Sequence, residues 1–227
     1  MKAEFDEFAQ DYASAVNTSI DFSGMKVEHF VKGKAAHIDR FLQTEGVARD
    51  DRILDVGCGV GQYEQMLGGR YALTGIDMSP SSIEEAKDKV PASEFLSYDG
   101  TALPFESNSF RCAFTICVVH HVPLEARTNF ISEVRRVLKP GGAFLIYEHN
   151  PWNPMTRWAV ERCVFDKDAI LLSRNYAVAW LRNNGFGDIR SEFLFSLPPM
   201  NDLMLRLDHA TRRLPTGAQY VAWGRKA

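Results

Sequence analysis

The sequence predicts an α/β fold: a doubly wound, mostly parallel sheet with helices on both faces. Three observations carry that prediction. Strand-like and helix-like segments alternate over most of residues 50–185. A glycine-rich turn, Gly57-Cys58-Gly59-Val60-Gly61, stands where the first strand gives way to a helix. Asp77 and Asp99 stand at or just past the ends of the next two strands. Such alternation implies parallel strands joined by helical crossovers. In sheets of this kind the ligand sits at the carboxyl ends of the strands.

The elements follow in order. Arg52–Val56 and Ala72–Asp77 are short apolar runs with strand character, and Gly61–Leu67 between them is helical in composition. Pro80–Lys89 reads as a helix, with Ser79 as its cap and Pro80 in its first position. Strands are expected near Glu94–Tyr98 and at Cys112–Val118, then a helix from Leu124 to Leu138. Lys139-Pro140-Gly141-Gly142 should break that helix before an apolar strand, Ala143–Tyr147. Tyr176–Asn184 carries a helical apolar stripe of Val178, Trp180 and Leu181 and stops at Gly185. Ile189–Phe195 and Gln219–Gly224 look like closing strands.

The totals agree with a globular protein of one domain over residues 1–227. Hydrophobic residues make up 45% and charged residues 24% of 227 positions, enough to bury a proper core. The net charge of -3, with no Lys/Arg run longer than a pair, argues against a nucleic-acid partner, which requires a basic stripe. Four cysteines form no C-x-x-C, so reduced thiols are expected. No apolar run reaches the roughly 18 residues of a membrane span, and the acidic start lacks the apolar core of a signal peptide. The expected location is the cytoplasm.

The glycine turn permits close backbone approach to a ligand. It is neither of the two common phosphate loops. A dinucleotide fingerprint would place glycine where Gln62 stands, and a P-loop would need Gly-Lys-Ser/Thr. What stands here is G-x-G-x-G preceded by Asp55. Asp77, 20 residues after Gly57, can accept both hydroxyls of a ribose, and Asp99 can accept from an adenine amino group.

Four stretches together resemble the successive motifs of class I S-adenosylmethionine-dependent methyltransferases. They are ILDVGCGVG, GIDMS, DGTALPFESNSFRCAFTICVVHHV and EVRRVLKPGGAFLIYEH. The resemblance is strong over about residues 50–150 and nearest to the quinone-ring and small-molecule group. It implies a Rossmann-like seven-stranded sheet of order 3-2-1-4-5-7-6 with strand 7 antiparallel. It also implies S-adenosyl-L-methionine as cofactor. Asp55, Gly57, Cys58, Gly59 and Gly61 would surround its methionine part, Asp77 its ribose, and Met78, Asp99 and Gly100 its adenine. Cys117 would supply backbone contact near the methionine. Residues 1–45 would form cap helices, with Tyr12 in FDEFAQDYA as the capping aromatic.

Methyl transfer from a sulfonium needs alignment and exclusion of water. A hydroxyl acceptor also needs a base. The candidates are His120, Glu148 and His149, which follow the fourth and fifth strands, together with His121, which precedes Val122-Pro123 and reads more simply as satisfying backbone groups of that turn. Some quinone O-methyltransferases hold a metal through E-x-x-E-H-V-P. Here Cys117-Val118-Val119-His120-His121-Val122-Pro123 lacks both acidic positions, so no metal is expected. Asn150-Pro151-Trp152 follows the fifth strand rather than the fourth, which excludes the N-P-P motif of amino-methylating enzymes.

Two segments exceed the minimal fold and should shape the acceptor site, residues 148–168 and 196–217. The first carries Trp152, Trp158, Met155, Arg157 and Arg162, whose aromatics could wall a pocket. The second holds a helix-like stretch, Asn201–Arg213, with one apolar stripe and one basic side. It could cover the acceptor, make a homodimer contact or meet an anionic or lipid-linked substrate. The leading expectation is O-methylation of a small molecule. N- or C-methylation, a nicotinamide oxidoreductase on a similar fold, and a non-catalytic cofactor-binding protein stand as alternatives.

Overall fold

The computed structural model describes residues 17–21, 24–166, 168–199 and 201–227. Tyr12 and the cap helices expected before residue 17 lie outside the described residues.

A helix, α1 (Val27–Thr44), leads into the alternating region. There follow β1 (Arg52–Val56), α2 (Gln62–Leu67), β2 (Ala72–Asp77), α3 (Pro80–Lys89), β3 (Glu94–Ser97) and β4 (Phe110–Ile116). A 3-10 turn at Val119–His121 precedes α4 (Arg127–Val137) and β5 (Leu138–His149). Then come α5 (Pro154–Arg162), a 3-10 turn at Val164–Asp166, α6 (Arg174–Asn183), β6 (Phe186–Leu194), α7 (Asp202–Thr211) and β7 (Gln219–Lys226). The sheet order is β3-β2-β1-β4-β5-β7-β6, as the resemblance implies, with β7 antiparallel to β5 and β6.

Successive strand side chains point to opposite faces. Ile53 and Leu54 in β1 are both fully buried, so both faces of the sheet are covered. Ile53 joins the cluster under α1, with Ile38, Leu42 and Phe114. Leu54 joins the opposite cluster, with Ile131, Phe144 and Trp180. Each such side chain contributes roughly 1.5–3 kcal/mol. Helix starts follow their caps: Ser79 accepts from the Ser82 N–H, Asn153 from Thr156, Ser173 from Tyr176 and Asn201 from Met204.

Several boundaries differ from the sequence reading: β4 runs Phe110–Ile116 rather than Cys112–Val118, α6 begins at Arg174 rather than Tyr176, and β6 begins at Phe186 rather than Ile189. The helix expected from Leu124 begins at Arg127, because residues 123–126 form a turn closed by Pro123 O. The break expected at Lys139–Gly142 lies inside β5 rather than before it. Phe110 pairs with Leu138, Cys112 pairs with Ala143, and the intervening residues bulge, with Gly141 at φ +73°.

Candidate functional site

The loop after β1 is fixed from both sides. Gly57 and Cys58 both donate to Ile76 O in β2, at 2.7 and 3.1 Å. Gly57 has φ +84°, and a Cβ there would lie 2.3 Å from Val118 Cγ2. No other residue type fits beneath Val118, which packs the loop against the end of β4. Gly59, at φ +52°, meets nothing within 4 Å of its missing Cβ, so its surface is open to a ligand. Its N–H donates to Asp77 Oδ2 at 2.9 Å, while Ser79 N–H donates to Oδ1 at 2.9 Å. Asp77 therefore ties the loop to the end of β2.

Beneath the loop lies a pair of unsatisfied acids. Asp55 and Glu64 are each 1% exposed, and neither carboxylate has a hydrogen-bond partner. Burial pushes the Asp55 carboxyl well above its ordinary range, and the charges of Glu64 and Asp77 push it further. Burial likewise lifts Glu64 to about 7. Buried, unpartnered carboxylates are costly, and a cation beside them offsets that cost. An open glycine cradle with orphaned acids next to it fits a ligand carrying an ammonium group, as the methionine end of S-adenosylmethionine does.

The remaining predicted cofactor residues line the same edge of the sheet. Met78 packs over Gly100, where a Cβ would meet Met78 Cε at 2.9 Å. Asp99 is exposed and accepts from both the N–H and hydroxyl of Thr101, which hold its carboxyl below the usual range. Cys58 turns its thiol inward among Ile83, Ala86 and Phe95, so only its backbone can meet a ligand. Cys117 adopts φ +56°, a conformation unusual for a side-chain-bearing residue, directly after β4. Its N–H donates to Tyr147 O at 2.9 Å.

A polar cluster closes the ends of β4 and β5. Glu148 is fully buried; it accepts from Val119 N–H at 2.9 Å, and its other oxygen lies 2.6 Å from His120 Nδ1. His120 Nε2 lies 3.3 Å from Asp166 Oδ1 without the alignment of a hydrogen bond. Burial opposes the charged imidazolium of His120, but Glu148 and Asp166 outweigh it, so its pKa is raised. Burial and the His120 charge push His121 and His149 down to about 4. Gln219, paired with His149 across β5 and β7, reaches both His149 Nδ1 at 3.4 Å and Cys117 Sγ at 3.7 Å.

His120, Glu148 and His149 thus come together, with the two histidine ring centroids 5.5 Å apart. Glu148 is spent on His120 and Val119, which makes it a positioning residue. Sequence reasoning missed Glu64, Asp166 and Gln219. Glu64 looks like an ordinary first-turn acid of a helix. Asp166 gives no signal, since its partners precede it by more than a whole strand. Gln219 follows from the sheet order, which pairs the first residue of β7 with the last of β5.

The two extra segments meet beside this cluster. Asn150 is fully buried and donates to Gly217 O at 2.8 Å and Pro215 O at 3.3 Å. Asn153 donates to Thr216 O at 2.8 Å. The aromatics of the first segment face outward instead of inward. Trp152 is 78% exposed, and Trp158 is exposed with Arg162 4.8 Å above its ring.

Residues 54–146 match the family model of the methyltransferase domain. The chain is 28% identical over 162 residues to a sterol 4-C-methyltransferase of Caenorhabditis elegans, covering 63% of this chain and 47% of that protein. It is 32% identical over 136 residues to a phosphatidylethanolamine N-methyltransferase of Cereibacter sphaeroides, covering 57% of this chain and 62% of that one. The chain spans about half the length of the relatives it matches. A Thermotoga maritima methyltransferase described as a possible histamine N-methyltransferase aligns over 100% of both chains, with TM-score 0.71 and 19% identity. That likeness shows the fold alone. No helix among the described residues is long and apolar enough to cross a membrane.

Proposed function

We propose that the chain is an S-adenosylmethionine-dependent methyltransferase, a reading supported by the match of residues 54–146 to the methyltransferase domain, and that it methylates a hydroxyl oxygen of a small molecule. The loop at Gly57–Gly61, open at Gly59 and set above the orphaned Asp55 carboxylate, supports the cofactor, and the imidazoles gathered at the ends of β4 and β5 support the hydroxyl acceptor. S-adenosylmethionine, when bound, supplies a methyl on a positively charged sulfur that a nucleophile displaces in line. The chain's own residues bind, orient and take up a proton.

Asp55 would face the ammonium group, with the Glu64 charge behind it. Asp77 would hold the ribose, and Met78, Asp99 and Gly100 the adenine. Cys117, at φ +56° directly after β4, would meet the methionine end through its backbone. Val118 over Gly57 keeps the loop from collapsing into the space needed.

His149 is the base in this reading. Its low pKa keeps it neutral at pH 7. A weak base is sufficient, because the hydroxyl proton becomes strongly acidic as the new carbon–oxygen bond forms. The amide of Gln219 sets the tautomer. In one orientation its NH2 donates to His149 Nδ1 and its own buried Oε1 has no partner. The amide turned by 180° lets Cys117 S–H and His149 Nδ1–H donate to Oε1, leaving a lone pair on His149 Nε2. Oxygen is favoured over nitrogen because a neutral amine already carries a nucleophilic lone pair and needs no base, whereas a hydroxyl does need one.

Methylation with labelled cofactor across phenols, sugars, carboxylates, amines and thiols tests the reading. Hydroxyl acceptors should turn over fastest. His149→Ala should lower kcat on the best of them by about 100-fold or more, with S-adenosylhomocysteine affinity unchanged. Unaltered kcat in that variant removes His149 as base, and turnover confined to amines removes oxygen as acceptor.

A further inference from the structure

We propose that His120, His121 and Asp166 form a site for a divalent first-row transition ion of the zinc class, which clips the 148–168 segment to the end of β4. This goes beyond methyl transfer, and its test needs no cofactor. Among the described residues, these three place ligand atoms within 4.8 Å of one another. Asp166 Oδ1 lies 3.3 Å from His120 Nε2 and 3.5 Å from His121 Nε2. Ligand atoms bound at 2.0–2.1 Å around a tetrahedral zinc lie about 3.3 Å apart. Two edges of the coordination polyhedron are therefore already in place. The third closes by rotation of His121, whose side chain is 26% exposed.

The chemistry of His120 points the same way. Glu148 engages its Nδ1 at 2.6 Å. Its Nε2 is buried, faces a carboxylate oxygen and has no hydrogen-bond partner. Without an ion, a proton on Nε2 faces the negative Asp166 across 3.3 Å, and a bound ion would take the place of that proton between the two groups. Carboxylate, imidazole and metal in sequence is the arrangement by which an outer partner fixes the tautomer of a ligating histidine. Two imidazoles and one carboxylate suit a borderline transition ion better than magnesium or calcium.

The backbone around the three donors is already held. Ile170 N–H donates to His120 O at 2.9 Å. Buried Arg127 donates to Val122 O at 3.0 Å and to Ile170 O at 3.2 Å, tying the 3-10 turn to the segment that carries Asp166. An ion bound there would need little rearrangement and would leave coordination positions for water or an acceptor oxygen.

The test is zinc titration of the chelator-stripped chain by calorimetry, with Co(II) as the spectroscopic substitute. One zinc per chain should bind, and Co(II) should give the visible bands of a low-symmetry site. Asp166→Ala and His121→Ala should each abolish that site while circular dichroism stays unchanged. Glu148→Gln should weaken it by about 10- to 100-fold. Zinc should also raise Tm and slow proteolysis in residues 148–168, an effect absent in Asp166→Ala. Either of two results overturns the proposal: the paired variant His121→Ala/Asp166→Ala binding zinc as the parent does, or nitrogen chemical shifts showing both His120 nitrogens protonated in the presence of zinc.

Discussion

Replacing Glu64 with Gln should stabilise the folded chain above neutral pH. Glu64 is 1% exposed, and both its carboxylate oxygens lack partners. Burial raises its pKa from an ordinary 4.5 to about 7. A raised carboxyl pKa means that the folded chain holds the proton more tightly than the unfolded chain does. The contribution of this group is therefore most favourable below pH 4.5. It is lost as pH rises from 4.5 to about 7, and the full cost persists above that. A pKa difference of about 2.5 corresponds to about 3 kcal/mol. Gln has the shape of the protonated acid and never ionises, so it removes that cost. For a domain of this size the gain should be about 6–12 °C in Tm. The assay is urea denaturation of parent and Glu64→Gln at about pH 5 and about pH 8.5. The two should be similar near pH 5 and differ by about 3 kcal/mol near pH 8.5. A parent stability that is flat over that range, or a variant no more stable at the higher pH, would refute the buried-charge reasoning. The same variant should bind S-adenosylhomocysteine more weakly, because the charge that destabilises the empty fold is the one that attracts the ammonium group.

Three further outcomes follow from the geometry. Gly57→Ala puts a Cβ 2.3 Å from Val118 Cγ2 at φ +84°; it should cost about 2–5 kcal/mol by denaturation and abolish cofactor-analogue binding. Val118→Ala in the same chain should recover the part due to the clash, measurable as a double-mutant coupling. Asn150→Ala strands the Gly217 and Pro215 carbonyls that Asn150 holds; it should cost about 2–3 kcal/mol and open residues 214–218 to protease.

The parts of the fold legible in the sequence are those governed by local rules. Ser79-Pro80 announces α3 because the cap and the fixed proline φ act within one turn. The alternation of apolar runs gives the parallel core because each strand must be covered on both faces. The strand order came from resemblance, since no local signal distinguishes the placement of β7 between β5 and β6. Pro140, Gly141 and Gly142 predict a break because such residues punctuate helices and strands alike, and only pairing with β4 makes the segment a bulge within β5. The site divides the same way. The loop at Gly57–Gly61 is written in consecutive residues. The cluster of His120, Glu148, Asp166 and Gln219 joins four segments far apart in the chain, and its members are individually unremarkable.

The position of that cluster bears on which acceptors the protein takes. Sequence reasoning looked to Trp152 and Trp158 for an apolar wall, but both side chains face outward. At the ends of β4 and β5 stand instead imidazoles, a carboxylate and an amide. A buried polar lining rejects an acceptor that cannot hydrogen-bond to it, because its groups would be left unpaired, and that penalty exceeds what one missing methylene costs in an apolar pocket. In our reading selectivity therefore rests on the polar head of the acceptor more than on the length of its apolar part. The clamp from Asn150 and Asn153 to residues 215–217 supports this, because it fixes both extra segments to the strand ends that carry the cluster. Shortening the apolar tail of an accepted substrate should thus change kcat/KM by about 10- to 200-fold at most per methylene, whereas replacing its polar head should cost about 10⁴-fold or more. Acceptors ranked by tail length alone would contradict this assignment of selectivity to the polar cluster.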